Sequence, residues 1–151
     1  KARSVDVILD LLEQIPNEYT HLLLLQPTAP QRQISEIISM LDLIYEKEAD
    51  AVVSVSRFEE PHPFKLKTVD EDGRLASFIS GKSSETPRQE MPKAYALTGA
   101  YYLTSIQALK NQHTLLPERT VAFITPPIVN IDKREDFEYL QFLLNKGYAT
   151  L

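Results

Sequence analysis

Three polar clusters hold the residues best suited to chemistry, and each follows a predicted strand or turn. They are Gln26-Pro27-Thr28, Thr86-Pro87-Arg88-Gln89 and Asn130-Ile131-Asp132. Arg88 stands in a proline-flanked loop, a rigid mounting from which a guanidinium can clamp a carboxylate or phosphate in bidentate fashion. A solvated loop arginine satisfies the same pattern. Lys65 alternates with Phe64 and Leu66, which places it on the wet face of a hairpin as a surface lysine. Asp132-Lys133-Arg134-Glu135 opens an apolar-periodic helix and fits the Asp variant of a capping box, with Glu135 reaching back. A carboxylate at a strand end also binds a hard divalent cation through oxygen, as magnesium prefers.

Several other chemistries are excluded or unsupported. His21, His62 and His113 lie far apart without ligand spacing, which favours structural or surface roles. There is no Gly-x-Ser-x-Gly elbow and no glycine-rich phosphate loop, and the chain has only 4 glycines, so a phosphate cradle must come from elsewhere. The absence of cysteine removes disulfides, thiolate-ligated zinc, iron-sulfur clusters and thiol catalysis together, and it suits a reducing cytoplasm. A net charge of -5 with dispersed Lys and Arg argues against nucleic acid as a partner. No apolar run approaches the roughly 20 residues that span a bilayer, so no membrane partner is expected. Lys1-Ala2-Arg3-Ser4 is followed by Asp6 and Asp10 rather than by the apolar core of a signal peptide, and there is no initiator methionine.

The elements that must position these clusters follow from periodicity. At 151 residues the chain fits one domain with a real core. Val5, Ile8, Leu9 and Leu12 recur at helical spacing, and Pro16-Asn17-Glu18 ends that helix. Leu22 to Leu25 then reads as a strand buried on both faces. Pro27 and Pro30 stop it, leaving Gln26 and Thr28 at its carboxyl end, where open α/β sheets bind ligands. Ile34 to Glu48 is an amphipathic helix, and Ala51 to Ser56 a valine-rich strand. Helix, strand, helix, strand predicts a parallel sheet with right-handed crossovers. The rhythm breaks at a hairpin, Phe64 to Val69 and Leu75 to Ile79 about the Glu71-Asp72-Gly73 turn, followed by a polar loop from Ser80 to Lys93. A strand at about Ala100 to Leu103, a short helix from Ser105 to Asn111, a strand from Thr120 to Ile124 and a last helix from Lys133 to Lys146 complete the chain.

Gln26-Pro27-Thr28-Ala29-Pro30-Gln31-Arg32 resembles the QPTSPLR motif of the CMP-sialic acid synthetases, the acylneuraminate cytidylyltransferases. Matches follow in the family's order: Ser54-Val55, His62-Pro63-Phe64-Lys65, Pro87-Arg88-Gln89, Gly99-Ala100-Tyr101-Tyr102 and Ile131-Asp132. The resemblance implies a single cytidylyltransferase domain with a Rossmann-like, three-layer α/β/α nucleotidyltransferase core. An inserted β-hairpin arm, about residues 58–97, would build a homodimer. The reaction implied condenses CTP with a nine-carbon 2-keto acid sugar, sialic acid or a relative, and releases pyrophosphate with magnesium. By the same resemblance Gln26, Thr28, Gln89, Thr98 and Tyr102 bind the sugar, Lys65 and Arg88 present positive charge, and Asp132 holds the metal. Nucleotidyl transfer asks for positioning and charge neutralisation, so the lack of a nucleophilic side chain is no objection.

The chain departs from that pattern in three ways. The family's basic, glycine-containing loop for the CTP triphosphate has no counterpart, so the isolated chain is expected to bind CTP poorly and a strand-loop is expected before Lys1. Asn130 stands where the family's first aspartate does, bringing an oxygen without its charge. Ala96-Leu97-Thr98 replaces an Arg-Pro-Asn, which points towards a relative of sialic acid such as a diamino nine-carbon acid. Two rival expectations are an enzyme activating the eight-carbon acid of lipopolysaccharide, and a non-catalytic dimerisation module.

Overall fold

The structure is a computed structural model that describes residues 3–151. Helix α1 (Ser4–Gln14) leads to strand β1 (His21–Leu24), helix α2 (Ile34–Glu46) and strand β2 (Ala51–Phe58). A small hairpin of β3 (Lys67–Val69) and β4 (Leu75–Ser77) comes next, then the long strand β5 (Ala94–Ser105), helix α3 (Ile106–Gln112), strand β6 (Thr120–Thr125) and helix α4 (Arg134–Asn145). The main sheet has the order β1-β5-β2-β6, and β3 and β4 pair only with each other.

This is a three-layer α/β arrangement. On one face Val5, Ile8 and Leu12 of α1 and Leu109 of α3 pack against Leu22 and Leu24. On the other, Met40 and Ile44 of α2 pack against Val52, Ala100, Tyr101 and Leu103. Each helix contributes one apolar stripe at three and four residue steps, and Met40, Val52 and Leu109 are sealed from solvent.

The sheet is mixed rather than wholly parallel. β2 and β6 run parallel, but β5 is antiparallel to both β1 and β2 and lies between them. The helical crossover from β1 to β2 therefore leaves a gap that β5 fills from the opposite direction. β1 is an edge strand whose four residues are half-buried, not sealed on both faces. Three leucines, Leu22 to Leu24, give this edge the composition of an inner strand, because each face is still covered by a helix while one flank is open.

Two local expectations shift. The hairpin is shorter than the alternation of Phe64 to Val69 suggested, because Pro63–Lys65 forms a 3-10 turn. Pro63 sets the turn's first φ, and the His62 ring accepts the Phe64 N–H at 3.2 Å. At α4 the cap sits one residue later than the Asp132 and Glu135 box. The Asp136 carboxylate accepts the backbone N–H groups of Asp132 and Lys133, each at 3.1 Å, so the Asp132 side chain is not consumed as the cap. Among the described residues no helix is long and apolar enough to cross a membrane.

Candidate functional site

The carboxyl ends of β1, β2 and β6 point the same way, and the loops leaving β1 and β6 are joined above the sheet. Past Leu24 the chain turns sharply: the Ala29 N–H donates to the Gln26 carbonyl at 3.1 Å. Arg32 braces that turn from within, donating through Nε to the Ala29 carbonyl at 2.7 Å and through Nη2 to the Gln26 carbonyl at 2.9 Å. Two bonds tie in the loop after β6. Ile131 N–H donates to the Thr28 carbonyl at 2.8 Å, and Val129 N–H donates to Gln31 Oε1 at 2.7 Å. The prolines that end β1 thus form a rigid shelf against which Asn130 and Asp132 are set.

Between these loops and the first half of β5 lies a solvent-open cavity of about 190 Å³. Gln26, Thr28, Thr98, Tyr102 and Asp132 all line it, as do Gly99 and Asn130. Gly99 is the close contact. Its φ is +77°, and a Cβ added there would lie 2.6 Å from Gln26 Oε1 and 3.4 Å from Asn130 Oδ1. The two amide side chains therefore meet over bare backbone, in a space that only glycine leaves. A glycine inside a strand signals a bulge or a close approach, but the strand expected from sequence begins at about Ala100 and leaves Gly99 outside it, whereas β5 runs from Ala94 through Gly99 to Ser105.

Beneath the cavity, behind Thr98, lies a hydroxyl cluster that carries no charge. Ser54 Oγ and Thr98 Oγ1 are hydrogen-bonded to each other at 2.5 Å, and both residues are buried. Burial pushes the Tyr102 hydroxyl above its ordinary pKa, so at neutral pH it enters the site as a neutral hydroxyl. Among the described residues no lysine or arginine lines the cavity, and Asp132 is its one carboxylate. Such a wall of amides, hydroxyls and one acid suits a polyhydroxylated ligand better than a triphosphate.

Lys65 and Arg88 come together elsewhere. They line a separate cavity of about 220 Å³ with Glu59, Glu60 and His62. Arg88 Nη1 pairs with Glu60 at 2.6 Å and Nη2 with Glu59 at 3.6 Å, so within one copy its charge is largely answered by two acids. Gln89 is exposed on the 3-10 turn Arg88–Glu90 and lines neither cavity. All three residues lie on the segment that carries the hairpin, outside the Gln26 cavity of their own chain.

Among the described residues no group of three or more His, Cys, Asp or Glu side chains forms a metal site. Asp132 and Asn130 both line the Gln26 cavity and offer it a carboxylate and an amide oxygen. Magnesium commonly takes one or two carboxylates, several waters and the phosphates of a substrate. The donors fit such a shared ion and do not fit a closed protein cage.

A third cavity, of about 210 Å³, lies on the α2 side of the joined loops and includes Glu36, Tyr101 and Thr125. There the Tyr101 hydroxyl accepts the Gln33 N–H at 2.7 Å and donates to the Glu36 carboxylate. Burial, then the Glu36 bond, push its pKa up to about 12. The bond ties β5 to the first turn of α2.

No protein-family model matches the chain. A curated relative, post-translational flagellin modification protein B of Campylobacter coli, is 24% identical over 143 residues, which cover 93% of this chain and 60% of the relative's length. Among solved structures, CMP:2-keto-3-deoxy-manno-octonic acid synthetase complexed with CTP superposes with a TM-score of 0.64 at 14% sequence identity, over 97% of this chain and 70% of that one. The chain therefore has the mixed α/β fold of that sugar-nucleotide synthetase over nearly its whole described length.

Proposed function

We propose that this chain is the sugar-binding part of a cytidylyltransferase that couples CTP to a nine-carbon 2-keto acid sugar, sialic acid or a relative. The observation that carries the reading is the cavity at the carboxyl ends of the strands, where Gln26, Gly99 and Asn130 converge. Its position is the one in which open α/β sheets hold ligands, and its lining offers amides and hydroxyls for a polyol carboxylate.

In the reaction the anomeric hydroxyl oxygen of the sugar bonds to the α-phosphorus of CTP. The bond from that phosphorus to the bridging oxygen breaks, pyrophosphate leaves, and the hydroxyl proton passes to solvent. Gln26 and Asn130 orient the sugar, with Thr28, Thr98 and Tyr102 completing the wall. Asp132, with Asn130, would hold a magnesium ion whose charge offsets that of the phosphates. Lys65 and Arg88 lie outside the cavity of their own chain, so in this reading they act from a second copy, with Gln89 beside them, brought across by the hairpin arm of a homodimer. The chain spans 60% of the length of its curated relative, and the CTP triphosphate loop is assigned to the remainder of the longer protein.

A second reading changes the sugar only. The eight-carbon acid is supported by the fold shared with the octonic acid synthetase, and Thr98 in place of a longer amide is compatible with either substrate. Pyrophosphate release from CTP, measured on the longer protein with a panel of eight- and nine-carbon keto acids, separates the two. Release with the nine-carbon acids supports the first reading and release with the eight-carbon acid alone the second. Silence across the panel overturns both and leaves a dimerisation module.

A further inference from the structure

The pairing of β2 with β5 is broken at one place, and the break lies directly beneath the cavity. Val53 faces Tyr102 and Val55 faces Leu97, so Ser54 on β2 stands opposite the whole segment from Thr98 to Tyr101 on β5. On its other flank β2 is regular, with Ser54 facing Phe123 of β6 without any shift. The irregularity therefore belongs to β5 alone. It begins where β1 stops pairing, at Leu24 and Tyr102, just before the chain turns up to Gln26.

A bulge of this size leaves several backbone groups without ladder partners, and the Ser54 and Thr98 hydroxyls meet some of them. Ser54 Oγ accepts the Tyr101 N–H at 3.0 Å and donates towards the Tyr101 carbonyl at 3.3 Å. The Thr98 hydroxyl, bonded to Ser54 Oγ, also reaches the Ser54 carbonyl and the Ala100 N–H, each at 3.3 Å. Ser54 is 1% exposed and Thr98 3%. Unpaired polar groups at that depth are costly, so the bulge is stable in this form only with the hydroxyl present. The bulge in turn lifts Gly99 to +77° against the Gln26 amide.

We propose that Ser54, which does not line the cavity, is a positioning residue that fixes the Gln26 and Asn130 amides by pinning the Thr98–Tyr101 bulge on which they rest. The ligand's identity rests on the sugar reading above, but the positioning is tested without any ligand. A valine at position 54 would have served a β-strand better; the serine is explained by the bulge.

The test is nuclear magnetic resonance of the isotope-labelled chain. In Ser54→Ala the Gly99 backbone amide and the side-chain amides of Gln26 and Asn130 are expected to shift together. Thr104→Val is the control: it removes another buried hydroxyl on β5, bonded to the Leu115 carbonyl at 3.2 Å, and should leave those three signals in place. Shifts in Ser54→Ala confined to the neighbours of positions 54 and 101 would overturn the proposal, as would equal shifts in Thr104→Val. Should Ser54→Ala fail to fold, hydrogen exchange of the unaltered chain decides. A Tyr101 amide as protected as its β5 neighbours supports the pinning, and one that exchanges at the rate of an open loop overturns it.

Discussion

Gly99→Ala isolates the contact that shapes the cavity, because the chain supplies its own control. Gly99 and Gly73 have nearly the same φ, +77° and +78°, yet a Cβ at Gly73 meets nothing within 4 Å and one at Gly99 lies 2.6 Å from Gln26 Oε1. Holding alanine in left-handed backbone costs about 1–2 kcal/mol, and Gly73→Ala should show that cost by itself. At Gly99 the Gln26 amide must also leave its rotamer, adding about 0.5–1.5 kcal/mol. Urea denaturation compares the two variants at constant slope. The double-mutant cycle is sharper: with Gln26→Ala in the background there is no amide to displace, so the Gly99→Ala loss should fall to that of Gly73→Ala, a coupling of roughly 1 kcal/mol. Equal losses at Gly73 and Gly99, or a Gly99 loss indifferent to Gln26, would refute the contact and with it the geometry of the site.

The neutral Tyr101 hydroxyl is favoured by the fold, with a pKa raised from 10.0 to about 12. Its stabilising effect is thus complete below pH 10 and is lost as pH rises through the folded value, up to about 2–3 kcal/mol at 1.4 kcal/mol per unit; denaturation at pH 8 and pH 11.5 should show the loss, and Tyr101→Phe should flatten it. Arg32→Ala removes both bonds that brace the Gln26 turn and should cost about 2–3 kcal/mol in urea denaturation, with Arg32→Lys restoring less than half because an ammonium cannot span two carbonyls. The hairpin leaves Val69, Leu75 and Phe78 more than 60% exposed, and a lone two-stranded hairpin is marginal. Sedimentation at micromolar concentration should therefore give a dimer, and Val69→Asp with Phe78→Asp should give a monomer.

Much of the fold was legible because period alone carries it. Period placed helix α2, but its apolar set of Ile34, Ile37, Ile38, Leu41, Ile44 and Tyr45 is only partly the packing face: Ile37 and Ile44 pack in the core with Met40, while Ile34, Ile38, Leu41 and Tyr45 are exposed. The stop at Pro27 and Pro30 does put Gln26 and Thr28 in the cavity. The antiparallel insertion of β5 was not legible. A strand's direction in the sheet depends on where the chain re-enters, and the arm between Phe58 and Ala94 hides that from any local pattern. The edge position of β1 was hidden for a related reason, since leucines record that faces are covered and say nothing of flanks. At the site, Asp132 read as a helix cap because a box of Asp132 with Glu135 differs by only one residue from the observed arrangement, in which the Asp136 carboxylate accepts the Asp132 and Lys133 N–H groups, and spacing does not choose between them. Ser54 was matched with Val55 but given no role, because the positioning proposed for it runs through Thr98 and Tyr101, more than forty residues away. Lys65 and Arg88 show the opposite limit. The motifs that contain them are easily read, but one copy of the chain keeps them apart from Gln26.

The central claim is that the Gln26 cavity takes the sugar. Gln26→Ala in the longer enzyme, with steady-state kinetics in both substrates, tests it most directly. Loss of the amide's hydrogen bonds, at about 1–3 kcal/mol, predicts a roughly 5- to 150-fold fall in kcat/KM for the keto acid, with the CTP KM and the urea midpoint little changed. A folded Gln26→Ala enzyme that turns over the sugar as well as the unaltered protein would contradict it.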